Sequence, residues 1–172
     1  STNIDLYLAL LNHIDDKLTA LNMDTKIVFS SRPRRPVTEK IKKNDRITVM
    51  FCPINRDFSA TFPLEIGEDY NLELPAFGDK ILNIEQVFKP IEMNVAQIKM
   101  WKDMYDGDSV IYDYQLMWFH QKDPGYMMVS ENLNTDMKAL KALGINGMNS
   151  CQNQRVFFPT ALPMVSMAET LW

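Results

Sequence analysis

Apolar residues recur at Ile4, Leu8, Leu11, Ile14, Leu18 and Leu21. Steps of four and three keep them on one helical face, so the pattern predicts a helix over 3–22 with Asn12, Asp15 and Asp16 on the opposite face. Thr2 and Asp5 supply a side-chain cap and a carboxylate for its first turn. The period then changes. Residues 25–31 (TKIVFSS) are β-rich and short. Residues 46–52 (RITVMFC) alternate, with Ile47, Val49 and Phe51 on one face and Thr48, Met50 and Cys52 on the other. Between these strands, Pro33 and Pro36 keep the chain extended. Phe58, Ala60 and Phe62 alternate with Ser59 and Thr61, which predicts a further strand ending at Pro63. The stretch 65–79 carries Glu65, Glu68, Asp69, Glu73 and Asp79 and no base, and reads as an acidic loop or edge hairpin.

In the second half, 81–88 reads equally as a strand or a short helix. Val95, Ile98, Trp101 and Tyr105 have helical spacing, with Gly107 as a stop. The longest strand signal covers 109–120, where Val110, Tyr112, Tyr114, Leu116 and Trp118 alternate with Asp113, Gln115 and others. Asp123-Pro124-Gly125 reads as a turn and 126–130 as its returning hairpin strand. Asn134 then caps a helix that turns Met137, Leu140 and Leu143 inward, and Gly144 followed by Ile145 fits a Schellman-type ending. VFFP at 156–159 reads as a last strand.

Links of hairpin length between these segments predict an α+β fold, with a mostly antiparallel sheet and about three helices. The expected organisation is a single α+β domain over 1–145 and an extended C-terminal arm over 146–172. The arm is suggested by a change of composition. Arg155 is the one charge between 142 and 168, and Pro163 interrupts an apolar tail. Leu162, Met164, Val165, Met167, Leu171 and Trp172 are its expected docking residues on a neighbouring subunit.

At 172 residues, 46% hydrophobic and 23% charged, the chain can fold around its own core without a disulfide or a metal. Its charge is unevenly spread. Of 18 basic and 22 acidic residues, 7 and 2 lie within 32–46, leaving 11 and 20 elsewhere. Arg32, Arg34, Arg35, Lys40, Lys42, Lys43 and Arg46 thus form a positive segment on a chain of net charge −4. Such a segment predicts a contact to something negative: nucleic acid, an acidic neighbouring subunit, or the chain's own acidic face.

Catalytic chemistry has little support in the residues. His13 and His120 are the only histidines and have no partners at zinc spacing. No nucleophile elbow surrounds a serine, and no GxGxxG or GxxxxGK[ST] loop cradles a phosphate. The acids of 103–108 alternate wrongly for a calcium loop and lack its distal glutamate. Cys52 and Cys151 form no CxxC pair and read as reduced thiols of a cytoplasmic product. No apolar stretch is long enough to span a membrane, and the chain starts without a secretory signal. The aromatic run YDYQLMWFH suits a stacking platform for unpaired bases in shape, but it holds Asp113 and no cation, and reads as a core-facing strand. No catalytic, cofactor or metal residue is therefore assigned.

In layout, the first third resembles the head–tail connector and tail-terminator subunits of tailed bacteriophages. The resemblance lies in an amphipathic helix (IDLYLALLNHIDDKLTAL), a strand (TKIVFSS), then a Pro/Arg-containing extended loop and further antiparallel strands. It implies a small α+β subunit of a homo-oligomeric ring, in contact with other structural proteins of a virion assembled in the host cytoplasm. With the missing catalytic motifs and the segregated charge, it leads to the expectation of a non-enzymatic assembly subunit. The alternative is a regulatory protein that binds nucleic acid through 32–46 or mimics it with acidic surfaces.

Overall fold

Strands β1 (Ile27–Ser30), β2 (Ile47–Phe51), β3 (Ser109–Asp113) and β4 (Gly147–Ser150) form a sheet in the order β1-β2-β3-β4, and every pairing is parallel. The computed structural model describes residues 3–31, 38–42, 45–74, 84–153 and 157–171. The expected mostly antiparallel sheet is therefore wrong. Parallel neighbours need crossovers rather than hairpins. Helix α3 (Ile91–Met104) lies between β2 and β3, and α4 (Met127–Ala139) between β3 and β4. Helix α1 (Asn3–Ala20) precedes the sheet, and a short α2 (Ile84–Val87) precedes α3.

Local polar contacts explain why two expected hairpin strands are absent. Around 58–62, the Asp57 carboxylate ties down Ser59 through its N–H at 2.9 Å and its hydroxyl at 2.6 Å. The Phe62 N–H then donates to Asp136 at 2.7 Å instead of to a strand. At 126–130, Tyr126 adopts a left-handed φ of 57°, and the Val129 N–H is capped by the Asp123 carboxylate at 2.9 Å. A helix starts there, so Asn134 lies inside α4 rather than at its beginning. The long aromatic strand stops at Asp113, whose carboxylate accepts the Tyr114 N–H at 2.7 Å, and a 3₁₀ turn follows over Phe119–Lys122. The last strand is β4, which has no alternating apolar signal.

Other elements agree with the pattern. The two faces of β2 divide as expected, with Ile47, Val49 and Phe51 buried. After α4, the Ile145 N–H reaches Leu140 O at 2.9 Å and the Gly144 N–H reaches Lys141 O at 3.1 Å, with Gly144 at φ 67°. This is the Schellman geometry.

The expected extended C-terminal arm is instead helix α5 (Leu162–Leu171), packed along α4. Pro163 sits in its first turn, where a missing N–H and a fixed φ are tolerated. The Ser166 hydroxyl donates to Ser130 O at 2.9 Å, and Asn134 Nδ2 donates to the Thr170 hydroxyl at 2.7 Å. Met164 and Met167 pack against the core.

One core joins Leu8 of α1, Trp101 of α3 and Leu133 of α4 to Phe29, Ile47, Val49, Phe51 and Ile111 of the sheet. Each such fully buried side chain contributes about 1.5–3 kcal/mol. The three helices thus lie on one side of the sheet. Crossovers of one hand between strands in sequential order produce this one-sided arrangement. The buried side of α1 is Ile4, Asp5, Leu8, Leu11 and Asp15. Ile14 and Leu21, expected on it, are 36% and 68% exposed, and Asp15, expected outside, is buried.

Candidate functional site

The side of the sheet away from the helices carries Val28 and Ser30 of β1, and Thr48 and Met50 of β2. Register places Val110 and Tyr112 of β3 and Gly147 and Asn149 of β4 beside them. Alternation extends the face to Cys52, Tyr114 and Cys151 just past the strand ends. None of these side chains is charged. Val28 is 57% exposed, and the central Met50, Val110 and Tyr112 are half-buried. None packs against the core cluster. All-parallel sheets are otherwise covered on both faces, which makes this uncharged face the candidate site, as a contact surface.

Its chemistry is phenolic and thiolic. The Tyr112 and Tyr114 rings meet edge to face, with centroids 5.2 Å apart. Cys52 Sγ lies 3.5 Å from the Ser30 hydroxyl, and Cys151 Sγ lies 3.7 Å from Met117 Sδ. Burial, then the Cys52 thiol, pushes the Tyr114 phenol up to about 12. A hydrogen bond with Cys151 raises that of Tyr112 as well. Both stay neutral at physiological pH, so the face remains uncharged. Sequence reading assigned this aromatic run to the core. The alternation was legible, but nothing local indicates which side of a parallel sheet lacks helices.

The basic segment is used differently from a free patch. Arg46 Nε pairs with Asp15 at 2.8 Å, and its Nη1 donates to Met23 O at 2.6 Å and Thr25 O at 2.9 Å. Lys42 Nζ pairs with Asp16 at 2.6 Å. Asn12 brackets the chain by donating to Lys40 O at 2.8 Å and accepting from the Lys42 N–H at 3.1 Å. The buried Asp5 carboxylate accepts the N–H groups of Thr38 and Glu39 at 3.0 and 3.1 Å. Of the three partners left open by the sequence, Lys42 and Arg46 take the chain's own acidic helix, while the Lys40 side chain is exposed. Arg32, Arg34, Arg35 and Lys43 lie outside the described residues, as does Trp172. At the C-terminus, Leu162, Val165 and Leu171 stay largely exposed on α5, whereas Met164 and Met167 turn inward.

A third constellation was not anticipated. Arg56, in the loop after β2, is buried, with Nη2 at 2.5 Å from Asp136 and 3.1 Å from Asp113. Its guanidinium lies 4.4 Å from the Phe62 ring centre and 5.0 Å from that of Phe58. Those ring faces sit against a guanidinium whose Nε and Nη1 make no hydrogen bond. Gln115 Nε2 also donates to Asp136, at 2.5 Å. Burial, and then the Asp136 charge, holds Asp113 above its ordinary value despite Arg56. Beside Arg56, a cleft of about 440 Å³ opens past the carboxyl ends of β2 and β3, lined also by Asn55, Lys89 and Trp118. Ligands favour that end of parallel sheets, but two carboxylates already claim the guanidinium, so it is no anion cradle. The network pins the β2 loop to β3 and α4.

Asp108, at the foot of β3, accepts from Thr48, Ser109 and Asn146 and from no cation. Among the described residues no group of three His, Cys, Asp or Glu side chains is placed to hold a metal ion, and no helix is long and apolar enough to cross a membrane. Comparison of the chain with protein-family models, curated proteins and solved structures finds no match.

Proposed function

We propose that this chain is a non-enzymatic structural subunit of a homo-oligomeric ring or larger assembly, with the virion neck or tail as the setting implied by the layout resemblance. The observation that carries the proposal is the uncharged face of an all-parallel sheet, which no helix among the described residues covers. On that face Val28 is exposed and Met50, Val110 and two tyrosines are half-buried, and a second layer would remove their remaining surface from water. An uncharged centre inside a polar rim is the composition of an interface core. The nucleic-acid reading draws less support. Among the described residues, Lys42 and Arg46 are held by α1 carboxylates, and the two edge-to-face phenols have no basic neighbour on their face.

The test is the mass of the full chain by light scattering, alone and with mixed-sequence DNA. A defined oligomer indifferent to DNA is the expected result. A species that stays at the monomer's 19.9 kDa when concentrated, and shifts only with DNA, would overturn it in favour of a nucleic-acid protein.

A further inference from the structure

One side of α1 packs into the core, and its outer side is also apolar. Leu6, Tyr7, Leu10 and Leu21 are 62%, 51%, 52% and 68% exposed, and Ile14 36%. Tyr7, Leu10 and Ile14 of α1, with Leu21 in the turn just past its end, follow one another at steps of three, four and seven, the spacing of a helix seam. A helix that is apolar on both sides is normally covered on both. Among the described residues there is thus a helix stripe without a partner and a sheet face without a helix.

Their sizes match. From Leu6 to Leu21 the stripe runs about 23 Å at ~1.5 Å per residue and is about 10 Å wide. That is a footprint of roughly 230 Å². Four strands at ~4.8 Å and five residues at ~3.3 Å give a sheet face of roughly 300 Å². Charge matches as well. Lys17 interrupts the stripe at the one seam position without an apolar residue. Asp108, at the rim of the face beside Thr48, bonds only neutral donors.

A chain cannot close this contact on itself. Ile4, Leu8 and Leu11 hold α1 in the core, on the opposite side of the sheet from the open face. We infer that α1 of a second copy lies across the open face and supplies the helix layer that the sheet lacks. The inference rests on the assembly reading above and names the partner of its site. The contact is heterologous, since each copy gives its stripe to one neighbour and its face to another. One contact covers roughly 500 Å² in total by these footprints, well short of the ~1,200 Å² at which pairs become stable. An isolated pair is therefore weak, and a closed ring, which holds every copy twice, is the form that persists.

Complementation tests this directly. One full-length variant carries Leu10→Glu with Ile14→Gln on the stripe, and another carries Met50→Lys on the face. Tyr7→Ser and Asn149→Lys stand in if either loses its cooperative melt. Wild type is expected to form the oligomer, and each variant alone to fall to the monomer mass of 19.9 kDa. An equimolar mixture is expected to rise in mass with concentration towards twice that value and never beyond it, because one good stripe meets one good face, a single contact is weak, and growth stops there. Should either folded variant still assemble as wild type does, or the mixture show no concentration-dependent rise in mass beyond that of each variant alone, this contact is wrong while the assembly reading stands. A wild-type chain that is monomeric throughout removes both.

Discussion

Arg46 Nε donates to Asp15 Oδ1 at 2.8 Å, and both side chains are largely shielded from solvent. The pair joins the end of the basic segment to the first helix and accounts for two departures from the sequence pattern. It draws Asp15 onto the buried side of α1, and it occupies a cation that charge counting offered to a partner. With its two further bonds to the carbonyls of Met23 and Thr25, Arg46 ties α1, β1 and β2 together at one corner.

Charge-assisted hydrogen bonds in such a shielded place are worth more than an exposed ion pair. Arg46→Ser is expected to lower stability by about 2–3 kcal/mol, measured by urea unfolding of the monomeric chain. Lys42→Ser, at the exposed pair with Asp16, is expected to cost below about 0.5 kcal/mol. Equal effects of the two substitutions would refute the corner role.

The two sides of α1 separate stability from assembly. Leu8 is 1% exposed, and Leu8→Ala is expected to cost about 2–5 kcal/mol through the cavity it leaves. Leu10→Ala, on the outer stripe, is expected to change monomer stability by less than about 0.5 kcal/mol. Calorimetry under dissociating conditions checks both, and a large cost at Leu10 would reverse the orientation of the helix.

Two buried groups give stability opposite dependences on pH. Burial holds His120 below its ordinary 6.5, and its Nδ1 is buried without a hydrogen-bond partner while the ring bonds to the Gln115 backbone. The unfolded chain therefore takes up the proton first, and stability contributed here is lost as pH falls from about 6.5 through the lower folded value. Relative to His120→Gln, wild type is expected to weaken on acidification over that window. Asp113 is shifted the other way, above its ordinary 3.8. The folded state holds its proton longer, so wild type relative to Asp113→Asn is expected to weaken as pH rises from about 3.8. Urea unfolding across a pH series measures both differences, and a flat difference at either residue removes that assignment.

Helix α5 belongs to the fold of a single copy. Removing 160–172 would uncover the core beneath Met164 and Met167 and take away the bonds to Ser130 and Asn134. The truncated chain is expected to lose its cooperative melt, or to melt far lower, at concentrations where it is monomeric. An unchanged melt with lost assembly would instead make α5 the docking arm that the sequence suggested.

Much of the local structure was legible in the residues. The extent of α1, the alternation of β2, the spacing of α3 and the Gly144 ending of α4 are each set by side chains within a few turns, and each appears where the pattern placed it. The division of positions along 47–52 was equally readable, whereas along 109–114 the face was inverted: Ile111 and Asp113 are buried, and Tyr112 lies on the other side. Contacts between residues far apart in the chain decided the rest. Asp136 takes the Phe62 N–H across 74 positions and Arg56 across 80, so 58–62 never reaches a strand and the sheet becomes parallel. Asp15 reads as a solvent-facing acid until Arg46, 31 positions on, makes its burial favourable. Which face of the sheet stays open follows from the hand of the crossovers and the order of the strands. Neither is written in any local run of residues, because both are properties of how whole elements pack.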